Sequence, residues 1–293
     1  MSQKPLIVVV GETILDVDYT IMPSTQSPDG FPVYRKPQSG ANYRFGGAAA
    51  VAGMVEELGG DVRLVTNIDG PRMGIPPGAN GPWAWDAVAS TKRRYVVSGR
   101  VAFRIDTDVQ ITRVPLSVFD AIRQECTGRQ VYLILSDYGK GMFDQWLWAH
   151  AIRASVKPVE SFGDPHRSRS SMREASELLG RCTVLAQGTQ DRFWHSGLSE
   201  RVLEKRGQHG MQLLGEFGGY DSSPQDFGMD PTTAVDPCGC GDMAIAALAV
   251  ARSEGMGWHD SLRFATAAAA EEALVWGAVP VSRSVVDARF KRG

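Results

Sequence analysis

Along most of the chain, short apolar runs alternate with segments whose apolar residues recur every three or four positions, the two periods of buried strands and amphipathic helices. PLIVVVG (5–11) reads as a buried strand, GAAAVAGMVEELGG (47–60) as a helix ending in glycines, and DVRLVTNI (61–68) as the next strand. The alternation continues with a helix near 116–126, a strand over 130–138, a helix over 143–156, a strand near 159–164, a helix over 171–180 and a strand over 183–188. RVLEKRG (201–207) and MQLLGEF (211–217) read as a strand pair around a tight turn, followed by helices over 241–254 and 259–276. This succession predicts an α/β fold, a doubly wound and mostly parallel sheet with helices on both faces. Two segments break the rhythm: residues 17–45 and 92–106 alternate polar and apolar side chains, as strands with one wet face do. They predict a small β-sheet projecting from the body, placed to act as a lid over the carboxyl ends of the strands. Residues 71–90, rich in Gly and Pro, read as a loop with at most a short helix, and no internal repeat interrupts the 293 residues.

Composition narrows the partners. With 43% hydrophobic and 22% charged residues, the chain has an ordinary globular balance and can bury a substantial core. A formal net charge of −2 and no basic run longer than Lys92-Arg93-Arg94 give no support to nucleic acid or an acidic membrane as partner, so small molecules are expected. The five-residue apolar run before Gly11 reads as a strand, not a signal peptide, and no stretch reaches the roughly 18 apolar residues of a membrane span. Four cysteines without an export signal are expected as reduced thiols in the cytoplasm. Cys238 and Cys240 lack the further Cys or His residues that would complete a zinc set.

The candidate chemistry lies in Val235-Asp236-Pro237-Cys238-Gly239-Cys240-Gly241-Asp242-Met243, which leads into the alanine-rich AIAALAVARSEG. Gly239 to Asp242 fall at a helix N-terminus, where free N–H groups and the positive end of the dipole favour an anion. Glycine permits close approach of a phosphate, and Asp242 could take the proton of an attacking hydroxyl. Taken alone, the segment is equally compatible with an ordinary helix start whose Asp complements the dipole. A methyltransferase-like turn is disfavoured, because too little chain follows Asp242 for the βα units such a half needs.

Six motifs in order resemble the ribokinase-like (PfkB) carbohydrate kinases, and within them the kinases of heptose 7-phosphate. Gly11-Glu12-Thr13-Ile14-Leu15-Asp16 is similar to the subgroup's Gly-Asp-x-x-Leu-Asp, and Gly46-Gly47-Ala48-Ala49 to Gly-Gly-Ala-Ala-Asn. Thr91-Lys92-Arg93-Arg94 with Arg104-Ile105-Asp106 resembles Thr-Lys-x-Arg and Arg-Leu-Asp, and Ser136-Asp137-Tyr138-Gly139-Lys140-Gly141 matches a heptose-kinase signature. Arg206-Gly207 with Gly210-Met211 resembles Thr-Arg-Gly-x-x-Gly-Met, and the 236–242 turn resembles Asp-x-x-Gly-Ala-Gly-Asp.

The resemblance, which covers nearly the whole chain, implies a single ribokinase-like domain over 1–293 that transfers the γ-phosphate of ATP, with Mg²⁺, to a sugar hydroxyl. It implies Asp242 as base, with Gly239, Cys240 and Gly241 as a backbone anion hole. Asp16, Gly46, Gly47 and Asp137 would face the sugar, Lys92, Arg94 and Arg104 a phosphate already on it, and Lys140 the γ-phosphate. Gln187, Arg206, Gly207, Gly210 and Thr266 would lie on the nucleotide side, and Gln190 near the metal. By analogy, a homodimer through the lid is expected.

Departures from the pattern fall on functional positions. Gln190 stands for a Glu that helps organise Mg²⁺, which removes a charge from a hard-cation site. Gln187 and Thr266 stand for Asn, Ala50 for an Asn that reaches the sugar, Glu12 for Asp and His166 for Lys. Two further functions stay open: a degenerate member that binds nucleotide or sugar without transfer, as a sensor or assembly subunit, and a kinase of nucleosides or unphosphorylated sugars. The scattered His150, His195, His209 and His259 and most tryptophans are expected in packing or surface roles, with Trp83 and Trp85 as candidates to cover a ligand or partner.

Overall fold

A computed structural model describes the chain except residues 1–2, 37–39, 68–89, 112–115, 144–145, 167–178, 180, 189–198 and 217. The expected loop at 71–90 (with Trp83 and Trp85), nearly all of the helix expected over 171–180, and Gln190 thus lie outside the described residues.

The central sheet begins with β1 (Leu6–Gly11), whose six residues are all buried. The continuous apolar run is what a parallel strand covered on both faces requires. Alternate residues of β1 feed two cores. Ile7 and Val9 pack with α1 (Ala48–Glu57) and the C-terminal helices, while Leu6, Val8 and Val10 pack with α2 (Leu116–Cys126) and α3 (Trp146–Val156). Around β1 the sheet adds β6 (Asp61–Val65) on one side and β9 (Val131–Asp137), β10 (Glu160–Pro165), β11 (Val184–Gly188) and β12 (Arg201–Lys205) on the other, all parallel. Two antiparallel strands, β13 (Met211–Gly215) and β14 (Gly218–Ser222), close that edge. The expected pair at 201–217 is therefore part of a three-stranded edge. β14, GGYDS, lacks the alternation that marks a strand, and its place is set by pairing with β13.

Helices α4 (Cys240–Ser253) and α5 (Trp258–Glu272) match the two C-terminal helices expected, and a third, α6 (Arg283–Phe290), follows them. From Met243 to Ala251 every residue of α4 is buried, so its alanines let the sheet, α1 and α5 approach closely. α6 has a weak apolar stripe, buries Val286 and Arg289, and is held to α5 by the Arg289–Glu271 ion pair.

The projecting sheet has the order β5-β2-β7-β8, from β5 (Asn42–Gly47), β2 (Thr13–Thr20), β7 (Ser90–Val97) and β8 (Arg100–Thr107). A hairpin of β3 (Met22–Gln26) and β4 (Pro32–Arg35) forms a separate ribbon. Strand pleating gives the lid two unlike faces. Asp16, Asp18, Lys92, Arg94 and Arg104 share one by register, while Tyr95 stacks between Tyr19 and Phe103 on the other. Among the described residues no helix is long and apolar enough to cross a membrane.

Candidate active site

The turn before α4 converges with the carboxyl ends of β1, β9 and β10. Gly239 sits at the N-cap with φ 103°, and a Cβ there would fall 2.7 Å from Ala278 Cα, so both the backbone angle and the space demand glycine. Asp236 pins the turn: its carboxylate accepts the N–H groups of Cys238 at 2.9 Å and Gly277 at 3.0 Å. Asp242, in the first turn of α4, is buried, and its two oxygens accept the Tyr138 hydroxyl at 3.0 and 2.9 Å. Burial and the charges of Asp242 and Asp164 push the Tyr138 phenol well above its ordinary value, so it remains a donor.

Tyr138 is carried by a loop that Glu12 organises. The buried Glu12 carboxylate accepts the N–H groups of Tyr138 at 2.8 Å, and of Lys140 and Met142 at 3.1 Å. The Glu-for-Asp departure at 12 thus reaches three donors and sets the 138–142 loop against β1.

A line of alternating charge crosses the site. His166 stacks on Tyr138 with ring centroids 4.3 Å apart, and its Nε2 lies 3.4 Å from Asp242 Oδ1 and 3.4 Å from Asp164 Oδ2. The wholly buried Asp164 also pairs with the Lys205 ammonium. Burial works against the Asp164 charge, but Lys205 and His166 outweigh it and hold the carboxyl well below the usual range. Burial likewise opposes the His166 charge, and Asp164 and Asp242 overcome it, raising the imidazole to about 9. Since the unfolded value is 6.5, this contribution to stability is full below pH 6.5 and is lost as pH rises through about 9. The thermal midpoint of the protein is expected to fall between pH 7 and pH 9.5, and this drop to shrink in His166→Gln. An equal drop in both proteins would remove His166 as its source.

The lid supplies the opposite wall. Asp16 is buried, and its carboxylate crosses Gly46 so closely that a Cβ there would lie 2.4 Å from Oδ2. Burial raises the Asp16 carboxyl above its ordinary value, although Arg94 and Lys92 pull it down. Gly47, at φ 67°, starts α1, and a Cβ there would meet Glu12 O at 2.2 Å. Lys92 Nζ lies 5.0 Å from the centre of the Tyr138 ring, which brings a lid cation beside the hydrogen-bond partner of Asp242. Arg94, expected to meet a sugar phosphate, is buried and engaged by Asp16 at 3.0 Å, Asp18 at 3.6 Å and Cys238 Sγ at 3.4 Å.

On the far side of the α4 turn lies a cleft of about 550 Å³. Lys205, Cys240, Gly241, Gly207 and Gly210 line it together with the apolar Met229, Ala270 and Ala273, against which Cys240 packs, and its volume suits a small molecule. Thr266 lines it too, with its hydroxyl turned to Leu262 O at 3.0 Å.

Other expected residues stand elsewhere. Asp137 is wholly buried and accepts the Gly139 N–H at 2.9 Å, which makes it a builder of the turn. The Lys140 ammonium pairs with Asp108, and Arg104 pairs with Asp106 on the exposed strand β8. Gln187 is buried in β11 with its amide nitrogen 3.4 Å from Glu204 Oε1, and Arg206 pairs with Glu204 and Asp221. Each of these cations and the Gln187 amide thus has a carboxylate beside it: two residues away in sequence for Arg104 and Arg206, and on a distant segment for Lys140 and Gln187. Asp164 and Lys205 were missed by the sequence reading, and Tyr138 and His166 were noted without a role. Tyr138 lies within the strongest motif, whereas Lys205 carries no local signal.

A base candidate at the start of a helix, a polar lid on one side and an apolar cleft on the other are set on a doubly wound sheet, and they define a ribokinase-like fold. The Arabidopsis thaliana ribokinase, solved with ribose and ATP, superposes with a TM-score of 0.73 at 18% identity, covering 100% of both chains. The Burkholderia thailandensis nucleoside kinase in complex with inosine gives 0.68 at 17% identity, covering 98% of this chain and 96% of that one. Residues 169–281 match the model of the pfkB family carbohydrate kinases, and this match with the kinase-named relatives supports a phosphotransferase. A D-beta-D-heptose 7-phosphate kinase of Bordetella bronchiseptica is 27% identical over 290 residues, covering 89% of this chain and 88% of the relative. The bifunctional protein HldE of Aliivibrio salmonicida is 28% identical over 289 residues, covering 90% of this chain but 59% of its own length. The chain thus spans little more than half of that bifunctional relative.

Proposed function

We propose that this sugar kinase transfers the γ-phosphate of ATP to a hydroxyl of a phosphorylated sugar of the heptose 7-phosphate class, with Asp242 as base. The observation that carries the reading is the position of Asp242 between two unlike compartments, the polar lid with Lys92 and the apolar cleft beside Gly241. The apolar lining of the cleft suits a nucleobase, and its glycines let phosphates approach backbone. The acceptor hydroxyl gives its proton to Asp242 as its oxygen bonds to the γ-phosphorus, and the bond to the departing ADP oxygen breaks with its electron pair leaving on ADP. Backbone N–H groups of the 239–241 turn stabilise the transferring oxygens. Tyr138 and His166 hold the carboxylate in place, and the Tyr138 hydroxyl yields its position to the substrate.

The donor set fits a Mg²⁺ ion carried by the nucleotide's phosphates better than one held by the protein. Gln187 turns to Glu204, and Asp164 and Asp242 are taken by Lys205, His166 and Tyr138. When bound, the ion supplies charge neutralisation at the phosphate oxygens.

An ADP-release assay across phosphorylated and free sugars tests the reading. Turnover is expected with heptose 7-phosphate-like acceptors, and Lys92→Ala is expected to cost them about tenfold or more in kcat/KM while sparing free sugars. Faster turnover of free sugars or nucleosides by the wild type would replace the acceptor. ATP binding without ADP formation for any acceptor would favour the non-transferring reading, for which the Gln190 substitution is the supporting feature.

A further inference from the structure

The Lys205 side chain lies across the first turn of α4. A Cβ built on Gly241 would meet Lys205 Nζ at 3.1 Å, Cδ at 3.5 Å and Cε at 3.6 Å, so the lysine stem fills the space that a side chain at 241 would take. The ammonium stands beside the turn whose N–H groups form the proposed anion hole, and Lys205 lines the cleft. Its partner, Asp164, is wholly buried, so the ammonium is held by an ion pair at the protein side of the cleft. Asp164 is in turn shared with His166, which also faces Asp242, so two cations and two carboxylates alternate beside the turn. Two features of the chain make this cation distinctive. Position 205 precedes Arg206-Gly207, where the motif quoted above has Thr, and position 166 has His where the pattern has Lys.

We propose that Lys205 binds the terminal phosphates of the nucleotide donor and neutralises charge on the phosphoryl group as it transfers. The inference rests on the nucleotide-cleft reading above and adds a residue to it. A point charge on a flexible stem suits a group that shifts during transfer, and its displacement toward phosphate leaves Asp164 paired with His166. This cation also bears on Gln190: a protein-borne positive charge at the phosphates takes over part of what an acidic metal ligand would organise.

Calorimetric titration with ATP and AMP separates the outcomes. Lys205→Met is expected to weaken ATP by about tenfold or more and to leave AMP within about twofold, since AMP lacks the phosphates in question. Because Lys205→Met strands a buried carboxylate, Asp164→Asn/Lys205→Met serves as a second variant, with the same selective loss expected and AMP binding as proof of an intact cleft. Unchanged ATP binding, or equal loss of ATP and AMP in the double variant, would overturn the role of Lys205. A wild-type protein that binds neither nucleotide would instead overturn the nucleotide reading itself, and the inference with it.

Discussion

Asp242→Asn is expected to lower kcat by about 10²–10⁴-fold while leaving ATP and sugar binding nearly unchanged. The amide has nearly the shape of the carboxylate, and its oxygen can still accept the Tyr138 hydroxyl, which now lies 2.9 to 3.0 Å from the two carboxylate oxygens. It cannot accept the acceptor's proton. The 3.4 Å contact from His166 can be kept through the same oxygen, so the loss should fall on the proton transfer and not on the architecture. Steady-state ADP release, read beside ATP titration, checks the split between kcat and binding. An Asn variant that turns over within about threefold of the wild type would remove Asp242 as base.

The second large effect is expected at Gly239→Ala, where stability and activity should fall together. The residue sits at φ 103°, a region that costs an L-residue about 1–2 kcal/mol. The added Cβ would also fall 2.5 Å from Glu272 Oε1 and 2.7 Å from Ala278 Cα, and the backbone contact cannot rotate away. Glu272 has little room to retreat: it is wholly buried, and burial, with Asp242 and Asp236 adding to it, pushes its carboxyl up to about 8. Gly255→Ala is the matched control, with φ 84° and nothing within 4 Å of a Cβ. Thermal unfolding is expected to show a clearly larger loss for Gly239→Ala than for the control, by about 4 °C or more. Turnover should fall too, because the displaced turn is the proposed anion hole. Equal losses in the two variants would mean that the packing behind the turn does not hold it in shape.

Both expectations concern a turn whose local chemistry was legible in the chain. The glycines, the carboxylate and the alanine-rich run mark a helix start, and backbone donors at such a start follow from covalent structure alone. The sheet was legible for the same kind of reason. β1, β9 and β11 are nearly continuous apolar runs because parallel strands are covered on both faces, and the 17–45 and 92–106 segments alternate in residue type although β8 and β4 are exposed on both faces. β14 and α6 escaped because GGYDS and RSVVDARF carry little periodic signal, and neighbouring elements decide their conformation.

Within the site, the residue types were more legible than their partners. Arg104 and Arg206 have Asp106 and Glu204 two residues away, on the same face of an extended chain, whereas the Lys140 partner, Asp108, comes from 32 residues away. Lys205 looks like a strand-end lysine, yet parallel pairing of β10, β11 and β12 brings it over Gly241 and onto Asp164, 41 residues away. The sequence by itself determined the fold class, the projecting sheet and the glycine turn at a helix start, because each depends on local periodicity or on the backbone at a helix start. Only the tertiary structure decided the long-range pairs, Lys205 with Asp164 and Lys140 with Asp108, since these are set by distances across the fold that the order of residues does not contain.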